Sequence, residues 1–335
     1  MCWNYLTRKE SFKLARCTFG LGLCQSRITI YYRKVRPVIT IMPVFKPAEW
    51  VAPKTIEEAT DLLSKRKAKV IAGGTGVYEL AKRGMLPETE VIVDLLNLNL
   101  DYVRVDGSTL KIGAMSKFTW LLKQPVFQKP ELGGLLDSMK NVKPVQVRNV
   151  ATAGGAISIS LPFLDFAPST LAFDANVVLV GAGGKQRVVP VERFYLDYLL
   201  PDLKKSEILT EIQIPIIPSS GSAFEKLGRT SGDFALVNVT ARLTFDKGGK
   251  CNDVRLSYGA VANTPIRAKK AEGVLKGQKL TKELVAKATD ALSEIEPTPS
   301  IHGSPWYKKE ISKVLTRNVV YKAAERAGFP IAEAK

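Results

Sequence analysis

Two glycine pairs constrain this chain more than any other feature: Ala72-Gly73-Gly74-Thr75-Gly76 and Thr152-Ala153-Gly154-Gly155-Ala156. The first follows the strand-like Lys69-Val70-Ile71, and the second follows Val145-Gln146-Val147-Arg148-Asn149-Val150, which reads as apolar and extended. Glycine permits positive φ and lets a ligand approach the main chain. Successive free N–H groups in such a turn make a concavity for phosphate oxygens. Two such loops, each behind an apolar segment, point to a diphosphate cofactor gripped from both sides.

At 335 residues and 45% apolar content the chain can build two or three cores. No apolar run reaches the length of a bilayer span, so no membrane span is expected. The formal charge of +17 raises a nucleic-acid reading. Its lysines and arginines are scattered rather than interleaved with aromatics, which favours a solvated basic surface or an acidic docking partner. Residues 1–41 supply +7 of this charge and hold Cys2, Cys17 and Cys24. That segment is Arg-rich and acid-poor, like a transit peptide. Met42 nevertheless stands directly before Pro43-Val44-Phe45-Lys46-Pro47, so 1–41 reads as an unstructured extension or a mis-assigned start. No CxxC pair, disulfide framework or iron–sulfur ligand set is present, which suits a reducing cytoplasm.

Thr55-Ile56-Glu57-Glu58 is a capping box opening a helix. A strand at Ala68–Ala72, the first glycine loop, a helix through Tyr78–Arg83 and a strand at Glu90–Leu95 follow as a β-α-β-like unit. Tyr102–Val105 and Thr109–Gly113 alternate about Asp106-Gly107 as a hairpin. Ser116 is expected to cap a helix through Leu122, and Gly133-Gly134 to interrupt the next. A second hairpin spans Asn176–Val189, and Ile208–Ile214 is a strand ended by Pro215. After the linker 215–221 come strands near Ala235–Phe245 and Asp253–Ala262. Helices at Pro265–Leu275, Lys282–Glu294 and Trp306–Ala327 complete the pattern.

A Rossmann site is the first candidate, with Gly74-x-Gly76 and Asp94 downstream. Glu79 replaces its third glycine, however, and Asp94 ends a strand where acids commonly cap a turn. No Walker loop, G-x-S-x-G or H-E-x-x-H occurs. The single histidine, His302, lies in a Pro/Gly-rich segment. A redox cofactor makes such groups unnecessary. Asp165 reads either as an N-cap for a helix at Pro168–Ala172 or as an acceptor for a ribityl or ribose hydroxyl. Lys226 reads either as an exposed strand residue or as a cation at a flavin's pyrimidine edge.

Taken in order, these motifs resemble the FAD-binding medium subunit of molybdenum hydroxylases, the carbon monoxide dehydrogenase and xanthine dehydrogenase group. The resemblance runs through Ile71–Thr75, Gln146–Gly155, Asp165, Gly232-Asp233-Phe234-Ala235, Pro265-Ile266-Arg267-Ala268 with Glu272, Leu275 and Gly277, and the helix from Trp306 to Leu315. It implies an α+β chain: a vanillyl-alcohol-oxidase-type FAD fold of two α/β subdomains (42–97 and 98–217), then a C-terminal domain (218–335) with an antiparallel sheet and helices. It implies that Val70, Ile71, Ala72, Gly73, Gly74, Thr75, Gly76 and Val77 wrap the FAD diphosphate together with Thr152, Ala153, Gly154, Gly155 and Ala156. Val142, Asp165, Leu209 and Lys226 would lie beside the cofactor, the flavin ring near the last two.

The only histidine lies outside both loops, so noncovalent FAD is expected, with no catalytic residue and no metal ligand in this chain. The family's usual loops carry a polar residue and a serine where Thr75 and Gly76 stand, and an asparagine where Ala156 stands. Each lost side-chain donor costs about 0.5–1.5 kcal/mol, which weakens FAD retention without abolishing it. The resemblance further implies a cytoplasmic electron-transfer subunit. Its partners would be an iron–sulfur small subunit and a molybdopterin large subunit, and it would pass electrons to an external acceptor. The alternatives are a stand-alone FAD oxidoreductase of a small substrate and a basic nucleic-acid-binding protein.

Overall fold

The computed structural model describes residues 47–86, 88–299 and 303–331. The amino-terminal segment and His302 lie outside them.

The first layer is β1 (Glu49–Val51), α1 (Ile56–Lys65), β2 (Ala68–Ile71), α2 (Thr75–Lys82) and β3 (Val91–Asp94). Its strands form a parallel sheet in the order β1-β3-β2. Val91, Ile92 and Val93 are all buried, as a central parallel strand requires. The capping box forms with one change. Thr55 Oγ1 accepts from the Glu58 amide at 3.1 Å, but the Glu58 carboxylate reaches the Lys54 amide at 2.9 Å rather than that of Thr55. Asp94 accepts from the Leu96 amide at 3.0 Å, so it caps the turn that follows β3.

The second layer begins with the hairpin β4 (Val103–Asp106) and β5 (Thr109–Gly113). A run of helices follows: α3 (Phe118–Leu121), α4 (Gly133–Asn141), α5 (Val145–Val150), α6 (Ala153–Ser158) and α7 (Phe166–Ala172). Then come β6 (Asn176–Val180), β7 (Gln186–Pro190), α8 (Val191–Phe194), the small hairpin β8 (Tyr195–Asp197) and β9 (Leu200–Pro201), and β10 (Ile208–Pro215). The antiparallel order is β4-β5-β10-β6-β7. Its inner face packs Leu110, Ile112, Val177, Leu179 and Ile212 against Phe118, Leu135, Met139 and Phe166 of the helices.

The third layer is the antiparallel sheet β11 (Ser220–Leu227), β12 (Val237–Phe245), β13 (Lys250–Gly259) and β14 (Ile266–Arg267), followed by α9 (Lys269–Leu275), β15 (Gln278–Lys279), α10 (Lys282–Asp290) and α11 (Pro305–Arg326). Helix α11 starts on Ser304, whose hydroxyl accepts from the Tyr307 amide, with Pro305 at the first helical position. It lays Leu315, Val319, Val320 and Ala323 on the sheet. The mixture of helices and sheets makes the chain α+β.

Three local expectations are corrected. Residues Val145–Val150 form α5 rather than an extended run. Six residues are too few to tell a helical period from V-x-V alternation, and the Pro144 carbonyl accepts from the Val147 and Arg148 amides to start the turn. Ser116 caps no helix: its buried hydroxyl donates to the Tyr102 carbonyl, and Lys117 holds the N-cap position. Gly133-Gly134 opens α4 instead of interrupting a helix. A Cβ on Gly133 would lie 2.6 Å from Arg326 Nη1 and 2.8 Å from the Ser222 carbonyl, so glycine is what lets α4 seat on β11.

Charge joins the second layer to the third. Asp137 of α4 binds Arg326 at 2.7 Å and Lys322 at 3.1 Å. Asp174, after α7, binds Arg242 at 2.7 Å and Arg255 at 3.0 Å. Burial alone would raise the Asp137 carboxyl; the Arg326 hydrogen bonds and the Arg326 and Lys322 charges more than reverse this and hold it below the ordinary value. A depressed carboxylate stabilises the fold above its unfolded pKa, and that contribution is lost as pH falls through the folded value. Arg326→Ala should therefore cost about 2 kcal/mol near neutral pH and much less once Asp137 is protonated. Thermal unfolding at about pH 7 and about pH 2, below the ordinary aspartate range, checks this; an equal cost at both would assign the loss to packing.

Candidate functional site

The two glycine loops meet. Gly73 abuts the carbonyl of Val150 so closely that a Cβ there would overlap it, which brings the end of β2 against the end of α5, two residues before Thr152. Gly74 sits at φ 74°, a left-handed conformation suited to glycine, and is the N-cap of α2. Val70 and Ile71 lead in on β2, and Ala72 through Val77 make the turn and the first helical positions, all half-buried.

The loops differ in how their amides are used. Among the described residues none accepts from the amides of Gly74, Thr75, Gly76 or Val77. They converge at a helix N-terminus, where dipole and N–H groups favour a phosphate. In the second loop every corresponding amide is spent. Ala153 donates to Ser116, Gly154 to Ala114, Gly155 to Thr152 Oγ1 at 3.2 Å, and Ala156 to the Thr152 carbonyl.

Asp165 and Lys226 are brought together. Asp165 stands at the N-cap position of α7 but caps no amide with its side chain. Its Oδ2 binds Lys226 Nζ at 2.7 Å, while Oδ1 is buried with no hydrogen-bond partner among the described residues. Lys226 is 6% exposed, so it is no surface strand residue. Its ammonium also donates to the carbonyls of Asn141 at 3.2 Å and Asp233 at 3.3 Å, which uses all three of its donors. Burial pushes the Asp165 carboxyl up to about 6 despite the Lys226 charge and the nearby Asn238 amide.

Val142 lies half-buried just beyond α4, next to Asn141. Leu209 is on β10 opposite Leu179 and is buried in the second-layer core.

Two further residues shape the site. Arg148 Nη1 donates to the carbonyls of Lys140 at 3.1 Å and Val142 at 3.2 Å. With Lys226 on Asn141, two cations thus hold the C-terminal carbonyls of α4, where the helix dipole is negative. Asn238 of β12 is fully buried and donates to the Leu164 carbonyl at 3.2 Å, fixing the residue before Asp165. Arg148 lies within the second motif, and its position as the one charged residue of Val145–Val150 was the available signal. Asn238 carried none, because it looks like an ordinary outward strand position.

The free amides, the glycine cradle and the orphaned Asp165 oxygen fit a phosphate- and hydroxyl-bearing cofactor. Residues 44–217 match the family model described as the FAD binding domain in molybdopterin dehydrogenase, and residues 222–323 match the CO dehydrogenase flavoprotein C-terminal domain. The chain belongs to this flavoprotein family, and its cofactor is FAD. The glyceraldehyde dehydrogenase medium chain of Sulfolobus acidocaldarius is 30% identical over 82% of this chain and 98% of its own length. The carbon monoxide dehydrogenase medium chain of Hydrogenophaga pseudoflava is 31% identical over 83% of this chain and 97% of that protein. The solved carbon monoxide dehydrogenase of the same organism superposes with a TM-score of 0.79, covering 84% of this chain and 98% of the other. Among the described residues no helix is long and apolar enough to cross a membrane.

The elevated Asp165 value has a directional consequence for the flavin-free chain. The folded state holds this proton to higher pH than the unfolded chain, whose aspartate titrates near 3.8. The contribution is therefore full below about pH 4 and is lost as pH rises through about 6. Thermal midpoints of wild type and Asp165→Asn should differ in slope across that window and run parallel above about pH 7. Parallel curves throughout would show that this carboxyl does not titrate there.

Proposed function

We propose that this chain is the FAD-carrying electron-transfer subunit of a molybdenum-containing hydroxylase or dehydrogenase. It would take electrons from iron–sulfur clusters of a small subunit, which receive them from a molybdopterin large subunit, and deliver them to an external acceptor. The observation that carries this reading is the set of unpaired amides at the start of α2, opposite a wall built from α5 and α6. The family membership supports it, as do the relatives' names as medium chains.

In this reading Gly74 through Val77 bind the diphosphate through their amides, and Gly73 lets the two loops close. Thr152 to Ala156 form the opposing wall, supplying shape rather than free amides. Asp165 accepts a sugar-chain hydroxyl with its unpartnered oxygen while Lys226 neutralises it, and Val142 closes the cleft beside them. When bound, FAD supplies the redox chemistry; the chain's residues bind, orient and shield it. We further propose that the cofactor is held noncovalently and that the chain works in the cytoplasm. The two segments 42–97 and 98–217 would be subdomains of the vanillyl-alcohol-oxidase type, with 218–335 as the C-terminal domain and 1–41 as an extension.

An absorption spectrum of the purified chain, before and after acid precipitation, tests the central claim. Flavin bands should appear and move to the supernatant. A colourless chain that also fails to bind added FAD would overturn the reading. Asp165→Ala should weaken FAD binding about ten- to hundredfold, as loss of a charged hydrogen-bond partner does, and a titration of FAD fluorescence measures it.

A further inference from the structure

Asp165 is tied to the third layer by more than Lys226. The three carbonyls before it, of Pro162, Phe163 and Leu164, accept in turn from the Ala260 amide at 2.9 Å, the Ala235 amide at 3.4 Å and Asn238 Nδ2 at 3.2 Å. All three donors come from the third layer, and among the described residues no second-layer group donates to these carbonyls. The stretch that delivers Asp165 thus belongs to one layer by sequence and hangs on the other by its backbone.

The first of these donors stands in a costly conformation. Ala260, just past β13, has φ 64°, a left-handed backbone that a residue with a Cβ rarely adopts. Such a conformation persists only where its surroundings fix it. What fixes the Ala260 carbonyl is Lys308 of α11, whose ammonium donates to it at 3.1 Å and to the Thr298 carbonyl at 3.4 Å. Lys308 is 4% exposed and pairs with no carboxylate among the described residues, so burial lowers its pKa. It also stands near the start of α11, the end whose dipole disfavours a cation, while Trp306 and Tyr307 beside it are exposed. A buried, uncompensated ammonium is expensive, and holding α11 on the sheet does not require one, since Leu315, Val319, Val320 and Ala323 do that.

We infer that Lys308 is a positioning residue for the cofactor site: by holding Ala260, whose amide holds Pro162, it sets the stretch 162–164 and with it the place of Asp165. The assignment rests on the proposed binding of an FAD hydroxyl at that carboxylate. Lys308 touches neither Asp165 nor Lys226 and acts only through the backbone of Ala260.

The test is a titration of the full chain, stripped of flavin, with FAD, followed by flavin fluorescence well below each variant's thermal midpoint. Lys308→Met keeps the length of the side chain and removes the ammonium; it should weaken FAD binding about tenfold. In the Asp165→Ala background there is no carboxylate left to place, and the same substitution should then cost less than about twofold. Lys308→Gln, which keeps an N–H donor on a shorter arm, should fall between wild type and Lys308→Met. Val319→Ala, which loosens α11 on the sheet without touching the 162–164 stretch, should lower the thermal midpoint and leave FAD affinity unchanged. Unchanged affinity in Lys308→Met overturns the assignment. So does an equal loss with and without Asp165, or a matching loss in Val319→Ala, since either makes the effect a general loosening. Should Lys308→Met not fold, Lys308→Gln is carried through the same comparison with Asp165→Ala, and additive losses overturn the assignment there too. A wild-type chain that binds no FAD ends the cofactor reading itself, before any variant is compared.

Discussion

The site depends on one buried ammonium. Lys226 is held by the Asp165 carboxylate and by the carbonyls of Asn141 and Asp233, which belong to three separate stretches of chain. Removing two such charges from water costs several kcal/mol per ion, and attraction repays it only where geometry and extra hydrogen bonds are good. Three filled donors at 2.7–3.3 Å meet that condition for the lysine, but Asp165 keeps one oxygen without a partner. The pair is thus complete on the cation's side and open on the anion's side. A hydroxyl arriving at Asp165 would complete it without disturbing Lys226.

The same seam is crossed by two more aspartates of the second layer, Asp137 and Asp174, each meeting cations of the third. Hydroxyls fill the spaces between: Ser169 bonds Thr240 at 3.0 Å, and Ser257 donates to the Pro168 carbonyl at 2.6 Å. A seam this polar specifies one orientation of the two layers, because any slip leaves buried charge uncompensated. The cleft inherits that orientation, since Asp165 comes from one layer and Lys226 from the other.

Local features were legible in the sequence because their partners lie close by. The capping box, the hairpin about Asp106-Gly107, the turn after Asp94 and the last helix each depend on residues a few positions apart. What was hidden depends on distant backbone. β12 alternates as Val237-Asn238-Val239-Thr240-Ala241-Arg242, and such a pattern predicts a solvated face bearing Asn238, Thr240 and Arg242. All three are buried, because α7 and the residues flanking it cover that face: Leu164 takes Asn238, Ser169 takes Thr240 and Asp174 takes Arg242. Gly133 and Ser116 were misread for the same reason: their determinants are Arg326 with Ser222 and Tyr102, not their neighbours. The two glycine loops stood out as motifs, and the fold brings them together at Gly73 and Val150. Which loop keeps its amides free is set by Ser116 and Ala114, and these lie dozens of residues from the second loop.

The basic surface is set by composition, 49 basic against 32 acidic residues, and not by the internal pairs. Asp137, Asp165, Asp174, Glu207, Glu211 and Glu272 are all committed to ion pairs, and all but Asp174 are buried. Each of these pairs withdraws a cation along with an acid, so the pairs leave the excess of 49 basic over 32 acidic residues to the rest of the chain. Salt screens exposed charge but reaches buried pairs far less. Raising ionic strength therefore weakens contacts made by the exterior lysines while leaving the Asp165–Lys226 cleft intact. Contacts at the exterior lysines and the ion pair of the cleft are thereby governed by separate electrostatics.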